Sequence, residues 1–172
     1  MRDSGRLRAP MDEFDMADSS VTPLVEGEAV AHSDNTSFVT KLDIAGHTMI
    51  ADEPVEVGGT DTGPSPYGLL SGALATCTAM TLHAYAKMKS LPVTDIRVKV
   101  KHEKIHEVDC ENCEKDDKAK IDRLERTISI EGDIDDKARE RMMQIADRCP
   151  VHRTLSSQIR IVTRGEVVAS KA

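Results

Sequence analysis

The chain has 172 residues, 39% apolar and 31% charged, with a formal net charge of −7, which is ordinary for a soluble globular protein of one domain, or one domain plus a tail. The negative field repels phosphate backbones, and Phe14, Phe38, Tyr67 and Tyr85 are the only aromatic residues, so nucleic acid is not an expected partner. The most apolar stretch, Gly68 to Met80, falls far short of the ~20 residues of a spanning helix; no segment reads as a secretory signal, so the chain is expected in the cytoplasm, away from membranes.

Residues 1 to 20 are polar and mixed in charge, and read as a mobile tail ahead of a domain over residues 21–172. Leu24 to His32 and Ser37 to Ile44 are strand-like, the second with Phe38, Thr40, Leu42 and Ile44 on one side. Ser33 to Thr36 supplies turn chemistry between them. Ala45-Gly46 turns again into a third strand, His47 to Ala51, which completes an antiparallel meander. The Gly- and Pro-rich stretch from Glu56 to Pro66 is a loop. Its GGTDTG segment lacks the Lys-Ser/Thr ending of a phosphate-binding loop and is discounted as one.

Ser65 as N-cap and Pro66 at the first helical position open a helix that runs to about Lys89. Leu70, Ala73, Leu74, Cys77, Thr81, Ala84 and Met88 lie along one stripe, and the first turns are apolar or small nearly all round. Such a helix must be covered on most sides, which points to a second copy of the chain. Val93 to His106 alternates as a half-buried strand, and Ile121 to Glu131 is another, with Ile128 and Ile130 on one side. Asp135 caps a helix from Asp136 to Asp147, with Ala138, Met142, Ile145 and Ala146 inward; Pro150 stops it. Gln158 to Thr163 is the last strand. The order β-β-β-α-β-β-α-β indicates an α+β fold.

In a reducing compartment, four cysteines are catalytic or metal-binding sooner than structural disulfides. Cys77 sits in GALATCTAMTLHAYA on the buried helix, and Cys149 in ADRCPVHRTL at a helix end beside Arg148, His152 and Arg153. Nearby cations lower a thiol pKa. The same cations also serve as helix C-terminal caps, and buried cysteines are commonly inert packing, so spacing alone leaves both readings open.

The stretches ADEPVEVGGTDTGPSPYGLLSGALATCTAMTLHAYA and GDIDDKARERMMQIADRCPVHRTL resemble the two signature segments of the OsmC/Ohr superfamily, most of all its bacterial OsmC-like branch of redox proteins. The resemblance spans roughly residues 25 to 165. It implies an intertwined homodimer with two long central helices enclosed by sheets, and active sites at the dimer interface. It implies Cys77 as the peroxidatic cysteine and Cys149 as the resolving one, with organic hydroperoxides as substrates and a dithiol as reductant. The family's peroxidases carry a Glu directly after the helix-opening Pro; here that position is Tyr67. They also carry an Arg in the first hairpin, whereas no Arg occurs here between Arg8 and Arg97. His32, Lys41, His47, Tyr67, His152, Arg153 or an Arg of a second subunit would have to support the thiolate. The alternative is a small-molecule-binding or stress protein that kept the fold with weak or no peroxidase activity.

The stretch KHEKIHEVDCENCEKDD holds His102, His106, Cys110 and Cys113. On one strand the two histidines share a face but lie about 13 Å apart. That leaves His106, Cys110 and Cys113 as a three-ligand zinc site, which Asp109 could join as a fourth. A Cys110–Cys113 redox pair and an exposed polar loop with two idle thiols are the other readings. His83, six positions after Cys77, reads as a packing or interface histidine, and no cofactor is required by the thiol chemistry.

Overall fold

The computed structural model describes residues 24–106 and 120–167. The expected tail over 1–20 and the stretch with Cys110 and Cys113 lie outside them. Three strands, β1 (Ala29–His32), β2 (Thr40–Ile44) and β3 (His47–Ala51), form an antiparallel meander. β2 and β3 join through Ala45 and Gly46, both with positive φ (49° and 85°), the two-residue turn whose twist suits a hairpin. Asp43 Oδ1 accepts from the Gly46 amide at 3.0 Å and secures the turn.

The following loop folds around one carboxylate. Asp52, 2% exposed, accepts from the Thr60 amide and hydroxyl (2.9 and 2.7 Å), the Thr62 amide and hydroxyl (3.2 and 3.0 Å) and the Glu53 amide (2.8 Å). The Thr60 and Thr62 donors of the GGTDTG segment are thus spent on the chain's own aspartate. Gly59 is required because a Cβ there would collide with the Glu53 carbonyl. Val55–Val57 makes a single 3-10 turn within this loop.

Helix α1 (Pro66–Met88) starts as its sequence dictates: Ser65 Oγ accepts from the Gly68 amide at 3.2 Å, and Pro66 stands where no amide is needed. It ends where Ser90 turns left-handed (φ 52°) and the Leu91 amide returns to the Ala86 carbonyl at 2.9 Å. Two long antiparallel strands follow, β4 (Val93–His106) and β5 (Lys120–Gly132). Helix α2 (Asp136–Ala146) is capped by Asp135, which accepts from the Ala138 amide at 2.7 Å.

The core lies between α1, α2 and the β4–β5 ribbon. Leu82, Ala86, Met142, Ile145 and Ala146 are buried there, with Ile96, Ile128, Ile130 and Ile134 packed against them. The buried ridge of α1 is Leu74, Thr78, Leu82 and Ala86, an i, i+4 row offset from the stripe through Cys77. Ala73, Ala84 and Met88 of that stripe are exposed. A helix small and apolar all round gives periodicity no means of choosing its buried side.

Two expectations near the C-terminus are corrected. Pro150 does more than stop α2: it is the first residue of a third helix, α3 (Pro150–Leu155). The break at 147–149 lets proline's fixed φ open a helix, its favoured place. The segment 158–163 is not a strand; it is exposed, with Ile161 85% exposed. A strand is defined by its ladder, and among the described residues this segment has none to join.

Candidate functional site

Helix α1 and the α2–α3 junction together build the site. Cys77 lies midway along α1, part-buried. Cys149 is the N-cap of α3 and fully buried. Met142, Ile145 and Ala146 anchor α2 on α1, and the chain leaves α2 straight into Cys149. The Cys149 amide bonds back to the Ala146 carbonyl at 3.3 Å, and the Arg153 amide donates to the Cys149 carbonyl at 3.0 Å. These tethers hold Cys149 near Cys77, close enough for each thiol to shift the other's pKa.

The two sulfurs differ in environment. Burial raises the Cys77 pKa above the ordinary thiol value; the hydrogen bond to Cys149 adds to this, against opposition from the Val151 amide and the Thr81 hydroxyl. Burial also pushes Cys149 up, but the hydrogen bond from Cys77, the amides of His152 and Val151 and the Thr78 hydroxyl outweigh it and hold its thiol below the ordinary value. The two shifts thus run in opposite directions, the buried sulfur down and the more open one up.

The remaining sequence candidates are scattered. His152 acts on Cys149 through its backbone amide, and Arg153 is exposed and tied to Cys149 through its own amide. His32, on β1, sits opposite Lys41 of β2 in the meander, where His47 also lies. Tyr67, in the first turn of α1, is about 15 Å along the helix from Cys77. Its ring stacks on His102 (centroids 4.1 Å apart, planes at 6°), and His102 Nε2 lies 2.7 Å from Asp122 Oδ1. A hollow of about 480 Å³ runs beside these first turns, lined by Ser65, Tyr67, Gly68, Ala75 and His102 among others, and by neither cysteine. His106 ends β4, but its side chain, like Cys110 and Cys113, is outside the described residues. Among those residues, no group of His, Cys, Asp and Glu is arranged to hold a metal.

One charged residue at the site was not singled out from the sequence. Arg126 of β5 stands opposite Val100 on the face shared by Leu124, Ile128 and Ile130. The signal was present in the alternation: a guanidinium in phase with three aliphatic residues points into the core, not out of it. Its Nη1 donates to Thr78 Oγ1 at 3.1 Å and to the Ala146 carbonyl at 3.0 Å, and its Nη2 meets Asp147 Oδ1 at 2.6 Å.

Comparison with known proteins agrees with this architecture. Residues 59–164 match the family model described as OsmC-like protein, a span that takes in α1 to α3 and both thiols. An OsmC-like protein from Mycoplasma pneumoniae has a similar structure, at 20% identity and a TM-score of 0.56, covering 74% of this chain and 84% of that one. An organic hydroperoxide resistance protein OsmC from Legionella pneumophila is similar at 15% identity and TM-score 0.55, covering 75% of this chain and 88% of that one. An organic hydroperoxide resistance protein from Elizabethkingia anophelis is similar at 15% identity and TM-score 0.57, covering 80% and 91%. At such identities the likeness establishes the fold. No curated protein matches the sequence. Among the described residues, no helix is long and apolar enough to cross a membrane.

Proposed function

The chain belongs to the OsmC-like protein family, and on that premise we propose that it is a thiol-dependent reductase of organic hydroperoxides, with Cys77 as the attacking cysteine and Cys149 as the resolving one. The observation that carries this reading is the nearness of a part-exposed thiol to a fully buried one, close enough that each shifts the other's pKa. Two of the similar structures belong to proteins described as organic hydroperoxide resistance proteins, which agrees with that substrate class.

The opposite directions of the two thiol shifts suggest how the proton travels. As Cys77 sulfur attacks the outer peroxide oxygen, its proton passes to Cys149. The O–O bond breaks, the departing alkoxide takes that proton to become an alcohol, and Cys77 becomes a sulfenic acid. The restored Cys149 thiolate then attacks the Cys77 sulfur. The S–S bond forms, the S–O bond breaks, and hydroxide leaves and is protonated to water. One hydroperoxide and two thiols thus yield an alcohol, water and a disulfide, which an external dithiol reduces by exchange. No cofactor enters this cycle.

A second copy of the chain completes the molecule in this reading. Met80 and Met88 on the open side of α1 are 66% and 67% exposed, and Ile159, Ile161 and Val162 are exposed in the extended C-terminal segment. A homodimer covers both and closes a water-poor cleft over Cys77. The protein works in the cytoplasm, where dithiol reductants are at hand. A zinc ion on His106, Cys110 and Cys113 is a separate proposal, tested by metal analysis of protein purified without a histidine tag; zinc well below one per chain ends it.

The test is hydroperoxide consumption in the presence of a dithiol. Cys77→Ser abolishes turnover, whereas Cys149→Ser permits one turnover and accumulates a sulfenic acid on Cys77 that a dione reagent traps. If Cys77→Ser consumes peroxide at the wild-type rate, the reading fails. Tyr67 favours a second reading: it stacks on His102 where the family's peroxidases have a carboxylate, which suits a binding protein with little peroxidase activity. Failure of peroxide to remove free thiols from the wild type selects that reading.

A further inference from the structure

One guanidinium ties two helices to one strand. Arg126 of β5 is only 13% exposed, and a cation so far out of water is costly unless its donors find acceptors. Its Nη1 donates to Thr78 Oγ1 on α1 at 3.1 Å and to the Ala146 carbonyl at the end of α2 at 3.0 Å. Its Nη2 meets Asp147 Oδ1 at 2.6 Å. Thr78 is free to accept because its own hydrogen goes to the Leu74 carbonyl, 2.8 Å away.

Each helical partner adjoins a cysteine. Thr78 follows Cys77 directly in α1. The Ala146 carbonyl that accepts from Arg126 also accepts from the Cys149 amide at 3.3 Å, and a carbonyl oxygen has lone pairs for both. The same side chain of β5 thus grips the turn that carries Cys77 and the peptide group that tethers Cys149. The grip falls where the backbone needs it. Asp147, Arg148 and Cys149 lie in the break between α2 and α3, and the core contacts of α2 end at Ala146. Helix α3 packs on α1, but it has six residues and none of them is buried, so its own packing anchors the break weakly.

We propose that Arg126 is a positioning residue that latches the break after α2 to α1, and so sets the effective concentration of the Cys149 thiol at Cys77. The inference rests on the peroxidase reading for its use, because disulfide closure is the resolving step there. That step is faster the more of the time one sulfur stands within reach of the other. Latch and disulfide restrain the same segment, so by reciprocity each stabilises the other. The bonds to Ala146 and Thr78 matter most in this role, since Asp147 is 64% exposed and its ion pair is weakened by solvent.

The experiment measures that effective concentration at equilibrium. Full-length protein carrying Cys110→Ser and Cys113→Ser is held in mixtures of reduced and oxidised glutathione, and its disulfide fraction is read by thiol trapping and intact mass. In the exchange the Cys77–Cys149 bond forms as the S–S bond of oxidised glutathione breaks; two electrons and two protons pass from the protein thiols to two glutathione thiols. Arg126→Met lowers the effective concentration about tenfold. Arg126→Lys, a single ammonium in place of a fork, keeps part of it. Thr78→Val, nearly isosteric, unties the latch from α1 alone and lowers it severalfold. Ile96→Ala is the structural control: it trims the same core from β4, so it lowers the melting temperature and leaves the effective concentration of the folded protein in place. The proposal is overturned if Arg126→Met lowers the melting temperature yet leaves the effective concentration unchanged, or if Ile96→Ala reduces it as much. Should Arg126→Met fail to fold, an unchanged value in Thr78→Val overturns it equally. No peroxide enters this measurement, so a wild type that forms the disulfide but consumes no hydroperoxide defeats the peroxidase reading and leaves the latch standing.

Discussion

Met142 packs the helix that leads into Cys149 against the helix that carries Cys77. It is fully buried in the middle of α2, against Leu82 and Ala86 of α1 and beside Ile145 and Ala146. Met142→Ala removes three heavy atoms beyond Cβ, a transfer loss of about 2 kcal/mol. The cavity left behind adds to that, for a total of about 3 kcal/mol. In a chain of this size such a loss lowers the melting temperature by roughly 6–12 °C. Thermal and denaturant unfolding of the reduced protein, read by circular dichroism, measure it. Met143→Ala is the internal control, since Met143 is 36% exposed and its truncation should lose less than about 1 kcal/mol. The substitution has a second consequence, because α2 delivers Cys149 to Cys77. Once α2 loosens, disulfide formation after a peroxide pulse slows, as seen by thiol trapping and intact mass. A Met142→Ala loss below about 1 kcal/mol, or one equal to that of Met143→Ala, would refute the claim that this contact holds the two helices in register.

Two further predictions concern the N-terminal half. The five donors on Asp52, led by the Thr60 hydroxyl, hold its carboxyl well below the ordinary value of 3.8; a depressed carboxyl stabilises the fold fully above its unfolded pKa, and that contribution is lost as pH falls through the folded one. Asp52→Asn is therefore expected to be less stable than wild type at neutral pH, with the gap narrowing below about pH 4; a gap in urea midpoints that stays constant down to acid pH counts against the assignment. Ala45 holds a left-handed φ of 49°, which disfavours an L-residue by about 1–2 kcal/mol, so Ala45→Gly should raise stability by a few tenths to about 1 kcal/mol after glycine's unfolded-state entropy is counted. A fall in melting temperature for Ala45→Gly would show that the turn is not strained.

Local chemistry made much of this fold legible. Ser65-Pro66 and Asp135 mark helix starts because a side-chain acceptor and a missing amide solve the terminus problem within four residues. β3 was readable because both its ends are set by neighbours in sequence, the Ala45-Gly46 turn and the Asp52 loop. What was not legible depends on partners far away along the chain. Ile159 and Ile161 alternate like a strand, but alternation cannot show whether a neighbouring strand exists to pair with. The α1 stripe through Cys77 and the ridge through Thr78 are equally small and apolar, and only the docking of α2 chooses between them. Pro150 reads alike as the end of one helix and the start of the next.

The search for a supporting cation shows the same limit more sharply. Counting arginines ahead of Cys77 finds none between Arg8 and Arg97, and suggests an unsupported thiol. The helix ridge and the strand face supply what the count omits. Thr78 follows Cys77 by one residue, so it points about 100° around the helix, toward the β5 face that carries Arg126. Cys77 then stays only part-buried while its neighbour in sequence bonds α1 to β5. Exposure and burial are thus divided between two sulfurs near enough to shift each other's titration, and α1 presents the open one on one side while its neighbour Thr78 ties the helix to β5 on the other.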